Sequence, residues 1–560
     1  MKILSNSLSK TIITSFQCSK FFMRFFIFFS LFGILICCSN PFEKNKQKPN
    51  ILLVVADDLG YSDLGCYGGD IETPNINSLA KNGIRFSRFN SNTTCAVSRA
   101  MLLSGNDNHI AGVGRQNLYT NEFGYEGQLT NRIITISELL KQAGYHTYMA
   151  GKWHLGHSSE SNPHKRGFEH SFALIEGGGN HYNNRGVLRN TYTNYTEDGD
   201  SANWREGDYS TDFYTDKIIG YLDSHKDDDK PFFAYVAYTS PHWPLQVDKK
   251  YWQKYIGRYD DGYEKLKESR FESLKKAGMI PYEAIIPPSH SKILPWDSLS
   301  AKQKMKESRK MELYAGMVDN LDFNIGRLIT HLKNIGEYEN TLIVFMSDNG
   351  AAGEDFFYSR RMGPILKKYY NDDYDNMGNF DSYISYGAQW AEAGSAPFSY
   401  YKGFTMEGGI IAPMIICGPD IKKKNIIYDG LVTLMDIAPT FYEATSAIYP
   451  KATEDNKLYP LKGKSILPFA SGKVESVHDS LYVFGLEHRN QVMIKKGDWK
   501  ITNINSPFLI DNFGLFNLSK DIGEQTDLKA SEPDKFNEML KEWTDFANEI
   551  KVQIPSPPFE

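Results

Sequence analysis

Asp57, Asp58, Asp348 and Asn349 each stand directly behind an apolar run, and all four offer oxygen ligands. An all-oxygen set suits a hard cation such as Ca²⁺ or Mg²⁺; Zn²⁺ favours nitrogen and sulfur. Taken singly, an Asp-Asp pair after a strand is more often a turn or helix cap, and Asp348-Asn349-Gly350 reads as a turn. Lys152 and Lys402 can hold an anion, while His154 and His242 have the acidity needed for proton transfer. Each alone would more often be a solvated lysine or a loop or buried histidine. Cys95 opens a helical pattern, a place where a thiol's pKa falls, so it offers a nucleophile or a thiolate ligand. A soft thiolate is nevertheless a poor member of an oxygen-lined site. Arg99 follows four residues later, one helical turn on.

These residues need elements to bring them together. Four short apolar runs end abruptly in them: 51–56 at Asp57-Asp58, 145–150 at Gly151-Lys152-Trp153-His154, 232–238 at Thr239-Ser240-Pro241-His242, and 341–347 at Asp348-Asn349-Gly350. Continuous apolar strands interleaved with helical patterns at 134–143 and 311–332 predict an α/β fold, a large and mostly parallel mixed sheet sandwiched by helices. Such sheets bind ligands at the carboxyl ends of their strands, so the polar termini are expected to converge. The segment 367–401 lacks periodicity and is rich in Tyr; it is expected to wall the pocket, with subunit packing as the alternative. After about residue 456, runs at 481–486, 492–496 and 499–502 predict a small sheet closed by a helix over 534–550.

The 560-residue chain is 41% hydrophobic and 23% charged, an ordinary globular composition for an enzyme of one or two domains. Its net charge of −6 gives no general attraction to nucleic acid, so an anion must be captured locally. Residues 25–38 form an apolar run behind Lys20 and Arg24, too short for a comfortable bilayer span and fitting an export signal. The run ends Leu-Ile-Cys-Cys-Ser-Asn, which resembles a bacterial lipobox with Cys38 as the lipidated residue; a cleaved signal without lipid is the alternative. Met23 would itself start a compact signal. The expected organisation is a leader at 1–38, a linker at 39–48, a catalytic domain at 49–455 and an α+β subdomain at 456–560. The protein is expected to be exported and membrane-anchored, or else soluble outside the cytoplasm. Without Cys18, Cys37 and Cys38 of the leader, Cys66, Cys95 and Cys417 remain, and no disulfide framework is expected.

The stretch Asn92-Thr93-Thr94-Cys95-Ala96-Val97-Ser98-Arg99 through Leu103-Ser104-Gly105 resembles the sulfatase signature, Cys-x-Pro-Ser-Arg followed by a short apolar helix and Thr/Ser-Gly. Further likenesses follow in the family's order: Asp57-Asp58-Leu59-Gly60, Thr73-Pro74-Asn75, Gly151-Lys152-Trp153-His154, Pro241-His242-Trp243-Pro244, Asp348-Asn349-Gly350, Lys402-Gly403 and Glu407-Gly408-Gly409. The blocks Tyr255-Ile256-Gly257-Arg258-Tyr259-Asp260 and Tyr386-Gly387-Ala388-Gln389-Trp390 are similar to the bacterial arylsulfatase and alkylsulfatase branch. The resemblance implies an alkaline-phosphatase-like fold and hydrolysis of sulfate monoesters, aryl or alkyl sulfates or sulfated glycans. It implies that a maturation enzyme converts Cys95 to formylglycine, whose hydrate attacks sulfur. One Ca²⁺ per chain, with Mg²⁺ as a substitute, would be held by Asp57, Asp58, Cys95 in its modified form, Asp348 and Asn349. Asp348 would act as base, His154 would assist sulfate release, and His242 with Lys402 would serve the leaving oxygen. Arg99 would hold the modified side chain, and with Lys152 and Lys402 it would stabilise sulfate charge. The chain departs from the pattern at Val97, where relatives carry Pro or Ala, and at Ile411, where they often carry Arg. A phosphoester or phosphonate hydrolase of the same superfamily, or a silent binder of sulfated glycans, are the alternatives.

Overall fold

The computed structural model describes residues 48–187, 191–205, 207–290, 292–453 and 456–554. The leader, Cys38 and the linker up to residue 47 lie outside them. Residues Pro49–Glu560 form one compact unit. In chain order its first strands are β1 (Asn50–Ala56), β2 (Gly83–Phe86), β3 (Phe89–Asn90), β4 (His146–Lys152), β5 (His170–Leu174), β6 (Tyr195–Glu197) and β7 (Asp200–Ala202). Then come β8 (Phe232–Ala237), β9 (Thr341–Ser347), β10 (Met414–Cys417), β11 (Ile426–Tyr428) and β12 (Val432–Thr433). All but β3 and β12 join one sheet in the order β11-β2-β10-β9-β1-β8-β4-β5-β6-β7. The strands β9, β1, β8 and β4 are consecutive and parallel, and they are the four apolar runs anticipated above.

Both faces of this sheet are covered, which is why its strands are apolar without alternation. Leu52, Val54, Ala234, Val236, Ile343 and Phe345 face one core with the helices Ser210–Ser224 and Ala301–Asn334. Ile51, Leu53, Val55, Phe233, Tyr235, Val344 and Met346 face the other, with the helices Cys95–Ser104, Ile136–Gln142 and Ile437–Thr445. Each fully buried aliphatic side chain here stabilises the fold by about 1.5–3 kcal/mol. This is the sandwiched mixed α/β sheet the sequence predicts.

A separate antiparallel meander follows: β13 (Val483–His488), β14 (Gln491–Lys496), β15 (Trp499–Asn503) and β16 (Gly514–Asn517). The helix Pro533–Ile550 packs Met539 and Trp543 against Val492, Ile494 and Ile501 of this small sheet. Its fourth strand escapes the sequence reading because it is four residues long and holds only two buried positions.

Two further expectations change. The helix Ala301–Asn334 starts ten residues before the apolar periodicity, on a charged first turn secured by a capping box of Ser300 and Gln303. The segment 367–401 does not wall the cavity described below, apart from carrying the chain towards Lys402. It contains the helix Gly387–Gly394, whose Trp390 is fully buried, and its Tyr370 and Tyr383 pack behind Trp243.

Candidate active site

Register explains why the polar termini meet. Ala56 pairs with Ser347, and Val55 and Gly151 both pair with Ala237, so the four central strands end level with one another. Gly151 is required there: it has φ +115°, and a Cβ would lie 1.9 Å from the Ala237 carbonyl oxygen. Cys95 enters from the helix Cys95–Ser104, whose preceding Thr94 is extended at φ −151°. The chain before it is held by Asn92, which bonds the Thr93 amide and Asn108, and by Ser98, which accepts from the Asn92 amide.

At the centre the Cys95 Sγ lies 3.3 Å from Asp57 Oδ1 and 3.8 Å from Asp58 Oδ1. Lys152 Nζ donates to both Asp57 oxygens at 2.8 and 2.9 Å. Lys402 Nζ donates to Asp58 Oδ2 at 2.7 Å, with His242 Nε2 at 3.4 Å from the same oxygen. Asn349 Nδ2 donates to Asp58 Oδ1 at 2.6 Å. The Arg99 guanidinium grips Asp348 Oδ2 through Nε and Nη2 at 3.0 and 2.7 Å, and donates to the Lys152 carbonyl and the Tyr235 hydroxyl. Arg99 is therefore placed beneath the site, holding Asp348 and the end of β4, and no contact with the Cys95 side chain was needed to put it there. All these groups are buried.

Three carboxylates thus face three side-chain cations in a dry centre. Burial, with Asp348 and Asp58 nearby, raises Asp57 to about 7 against the pull of Lys152 and Arg99. Burial also opposes ionisation of Asp58, but Lys402, His242 and Lys152 outweigh it and hold its carboxyl below the ordinary range. Burial and Asp57 push the Cys95 thiol well up, so it is a neutral thiol and no thiolate nucleophile. Ligand atoms of Asp57, Asp58, Cys95 and His242 lie within 4.8 Å of one another. The Asn349 Oδ1 is buried without a partner, an orphaned acceptor beside that cluster. The donor set fits a hard divalent cation, which would also relieve the carboxylate crowding that raises Asp57.

The histidines are fixed by their neighbours. His242 Nδ1 donates to the Trp243 carbonyl at 2.6 Å, which leaves Nε2 turned to Asp58. His154 has φ +58°, its Nε2 meets Asn117 Oδ1 at 3.1 Å, and its Nδ1 is buried without a partner. Burial, Lys152 and Arg99 push its pKa well down, so it is neutral.

A cavity of about 320 Å³ opens above this centre, with Cys95, His154, His242 and Lys402 in its lining. Asp57, Asp58, Lys152, Asp348, Asn349 and Arg99 lie below it. Its walls include Asn117, Glu176, Tyr192, Glu354 and Arg489, none of which the sequence reading picked out. Arg489 and Asn490 form the turn between β13 and β14, with φ of +56° and +64°. A short connection between two strand-like runs is consistent with a hairpin, but nothing local says that it points at Cys95. Ile411 is core, packed away from this cavity, and Val97 fills the apolar face of its helix.

A family model described as "Sulfatase" matches residues 49–447, well over half of the chain. The chain belongs to the sulfatase family. An "Uncharacterized sulfatase" of Schizosaccharomyces pombe is 40% identical to it over 534 residues, 91% of this chain and 95% of that protein. The arylsulfatase of Klebsiella aerogenes is 35% identical over 450 residues, 79% of this chain and 96% of that enzyme. Among solved structures, Ps i-CgsB in complex with k-i-k-neocarrahexaose superposes with a TM-score of 0.65 at 26% identity, covering 92% of this chain and 95% of that one. This sulfatase is accordingly a sulfuric ester hydrolase with the alkaline-phosphatase-like fold, and its clustered carboxylates agree with the metal dependence of the family.

Proposed function

We propose that this sulfatase hydrolyses aryl or alkyl sulfate monoesters, including sulfated glycans, with formylglycine formed from Cys95 as nucleophile and one Ca²⁺ per chain. The observation that carries this reading is the burial of Cys95 Sγ 3.3 Å from Asp57, at the floor of an open cavity and inside a cluster of three carboxylates and three cations. A thiol held neutral in such a place has no evident chemistry of its own, whereas an aldehyde hydrate there would supply an attacking hydroxyl. A cation held by Asp57, Asp58, Asp348 and Asn349 would supply Lewis acidity towards the sulfate oxygens.

The chain's own groups divide the remaining work. Lys152 and Lys402 give the anion fixed positive charge in a water-poor centre, where it acts most strongly. Asp348 is the base: Arg99 occupies its Oδ2 twice and leaves Oδ1 towards the Asp58 amide and the centre. His242 and Lys402 share Asp58 Oδ2 and line the cavity together. Burial, with Lys402 and Lys152 nearby, holds the His242 pKa well down against the pull of Asp58, so the Lys402 ammonium supplies the proton to the departing oxygen and His242 lies beside it. His154, neutral and with a bare Nδ1, is the acceptor for the proton whose loss expels sulfate. The maturation enzyme acts on Cys95, and the leader 1–38 exports the chain and anchors it through Cys38; both rest on sequence alone. Peptide mapping of the protein purified from its own host, with inorganic sulfate measured during turnover of an aryl sulfate, tests the mechanism. The expected result is an aldehyde at residue 95 and sulfate release abolished by Cys95→Ala. An intact Cys95 thiol in fully active enzyme overturns it, and phosphate release without sulfate release favours the phosphorus hydrolase.

A further inference from the structure

At the opposite end of β4 from Lys152, three chain segments bring histidines and carboxylates together on the surface. His146 begins β4, Glu169 immediately precedes β5 and His170 begins it, and His225 caps the C-terminus of the helix Ser210–Ser224, with Asp228 in the loop that leads to β8. His146 and Lys152 are six residues apart on one strand, so this cluster lies about 20 Å from the catalytic centre. The reaction described above uses none of its members.

The contacts are close and ordered. His146 Nδ1 meets Glu169 Oε2 at 2.6 Å, and His146 Nε2 meets Asp228 Oδ2 at 2.6 Å. The rings of His146 and His225 are 4.2 Å apart between centroids. His225 Nδ1 is within 3.0 Å of the Tyr148 hydroxyl and 2.9 Å of Ser224 Oγ, which leaves Nε2 as its other donor. One ligand atom each from His146, Glu169 and His225 fall within 4.8 Å of one another.

We propose that His146, Glu169 and His225 form a second metal site that takes a borderline transition metal, Zn²⁺ by its chemistry, and that Asp228, Tyr148 and Ser224 position its histidines. Two imidazoles and one carboxylate are a donor set for tetrahedral Zn²⁺ with water as fourth ligand, in contrast to the oxygen-rich centre at Asp57 and Asp58. Metal-bound histidines donate their far N–H to a carboxylate, hydroxyl or carbonyl, which fixes the ring and raises its basicity. Asp228 does this for His146, and Tyr148 with Ser224 does it for His225. Zn²⁺ takes the place of the proton now shared between His146 Nδ1 and Glu169, and that proton goes to solvent. Glu169, with 36% of its side chain exposed, has the freedom to open the 2.6 Å contact to the wider spacing of two ligands on one ion. A groove of about 610 Å³ lined by His170, Tyr221 and His225 gives access from solvent. The ion would clasp the end of the helix Ser210–Ser224 to the amino edges of β4 and β5.

The test is a Zn²⁺ titration of the full chain by calorimetry in saturating Ca²⁺, so that the catalytic centre does not contribute. One Zn²⁺ per chain is expected, accompanied by a rise in unfolding temperature. His225→Gln and Glu169→Gln should each weaken binding at least tenfold, and Asp228→Asn should do so by 10- to 100-fold, with aryl sulfate turnover unchanged in all three. Co²⁺ in place of Zn²⁺ should give tetrahedral visible bands that His225→Gln abolishes. Absence of Zn²⁺ binding under saturating Ca²⁺, or binding that survives both His225→Gln and Glu169→Gln, overturns the proposal and leaves the cluster as paired ions.

Discussion

His154 shows how little space separates a working side chain from a disabled one. It is a non-glycine residue at φ +58°, and its ring is pressed against Gly177, where a Cβ would come within 2.4 Å of the ring Cε1. Both features confine the imidazole so that Nε2 meets Asn117 and Nδ1 stays bare. Gly177→Ala must therefore displace the ring, since the opposing atoms belong to a stiff aromatic side chain. A drop in kcat of at least tenfold is expected, with a melting temperature within a few degrees of wild type and, because expulsion of sulfate becomes the slow step, a burst of alcohol release before the steady state. Stopped-flow measurement with a chromogenic aryl sulfate checks it; unchanged kcat would mean that His154 has no part in sulfate release. Arg99 teaches a related lesson. The resemblance implies that it holds the modified Cys95 side chain; beside the unmodified thiol its guanidinium bonds Asp348, the Lys152 carbonyl and the Tyr235 hydroxyl.

At the scale of elements, the small sheet is tied to the large domain by buried charge. Glu407, which follows Lys402 in one family motif, lies away from the cavity and accepts from Lys495 of β14 and Lys500 of β15 at 2.8 and 2.7 Å. His109 of the short helix Asn108–Ala111 forms a second tie, with Asp107 at 3.0 Å on one nitrogen and Glu487 of β13 at 2.9 Å on the other. Burial disfavours its charged form, but those two carboxylates prevail and raise its pKa to about 9. A histidine raised above its unfolded value of about 6.5 contributes stability that is complete below that pH and is lost as pH rises through the folded value. Wild type is therefore expected to lose up to about 3 kcal/mol between pH 6 and pH 9.5 that His109→Gln does not lose. Urea unfolding of both proteins at the two pH values decides it, and parallel pH profiles would rule the tie out.

For the whole molecule, the cavity is shared between its two sheets. His488, at the end of β13, bonds Thr93 Oγ1 at 2.9 Å, and the adjoining Arg489 reaches the cavity wall from the hairpin turn. A chain of net charge −6 has no general field to draw an anion in, so an exposed cation at the mouth carries weight. Arg489→Ala is expected to raise KM for an anionic aryl sulfate several-fold, with kcat held and the difference shrinking as salt is added. Steady-state kinetics at low and high ionic strength measure this; a loss confined to kcat would place Arg489 in the chemical step instead.

The sequence by itself determined the fold class, because strands buried on both faces read as unbroken apolar runs, and it marked the polar side chains that the structure gathers, because those runs stop at Asp57, Lys152, His242 and Asp348. It also marked Cys95, whose motif is local in the chain, although the groups around its side chain are not. Tertiary structure alone decided that β9, β1, β8 and β4 are neighbours ending level, since strand order and register come from packing between distant segments. It turned Arg99 towards Asp348, made most of 367–401 into core, and built the walls from Asn117, Glu354 and Arg489. Those residues lie in loops and turns, which carry no periodic pattern and whose direction is set by the elements they connect.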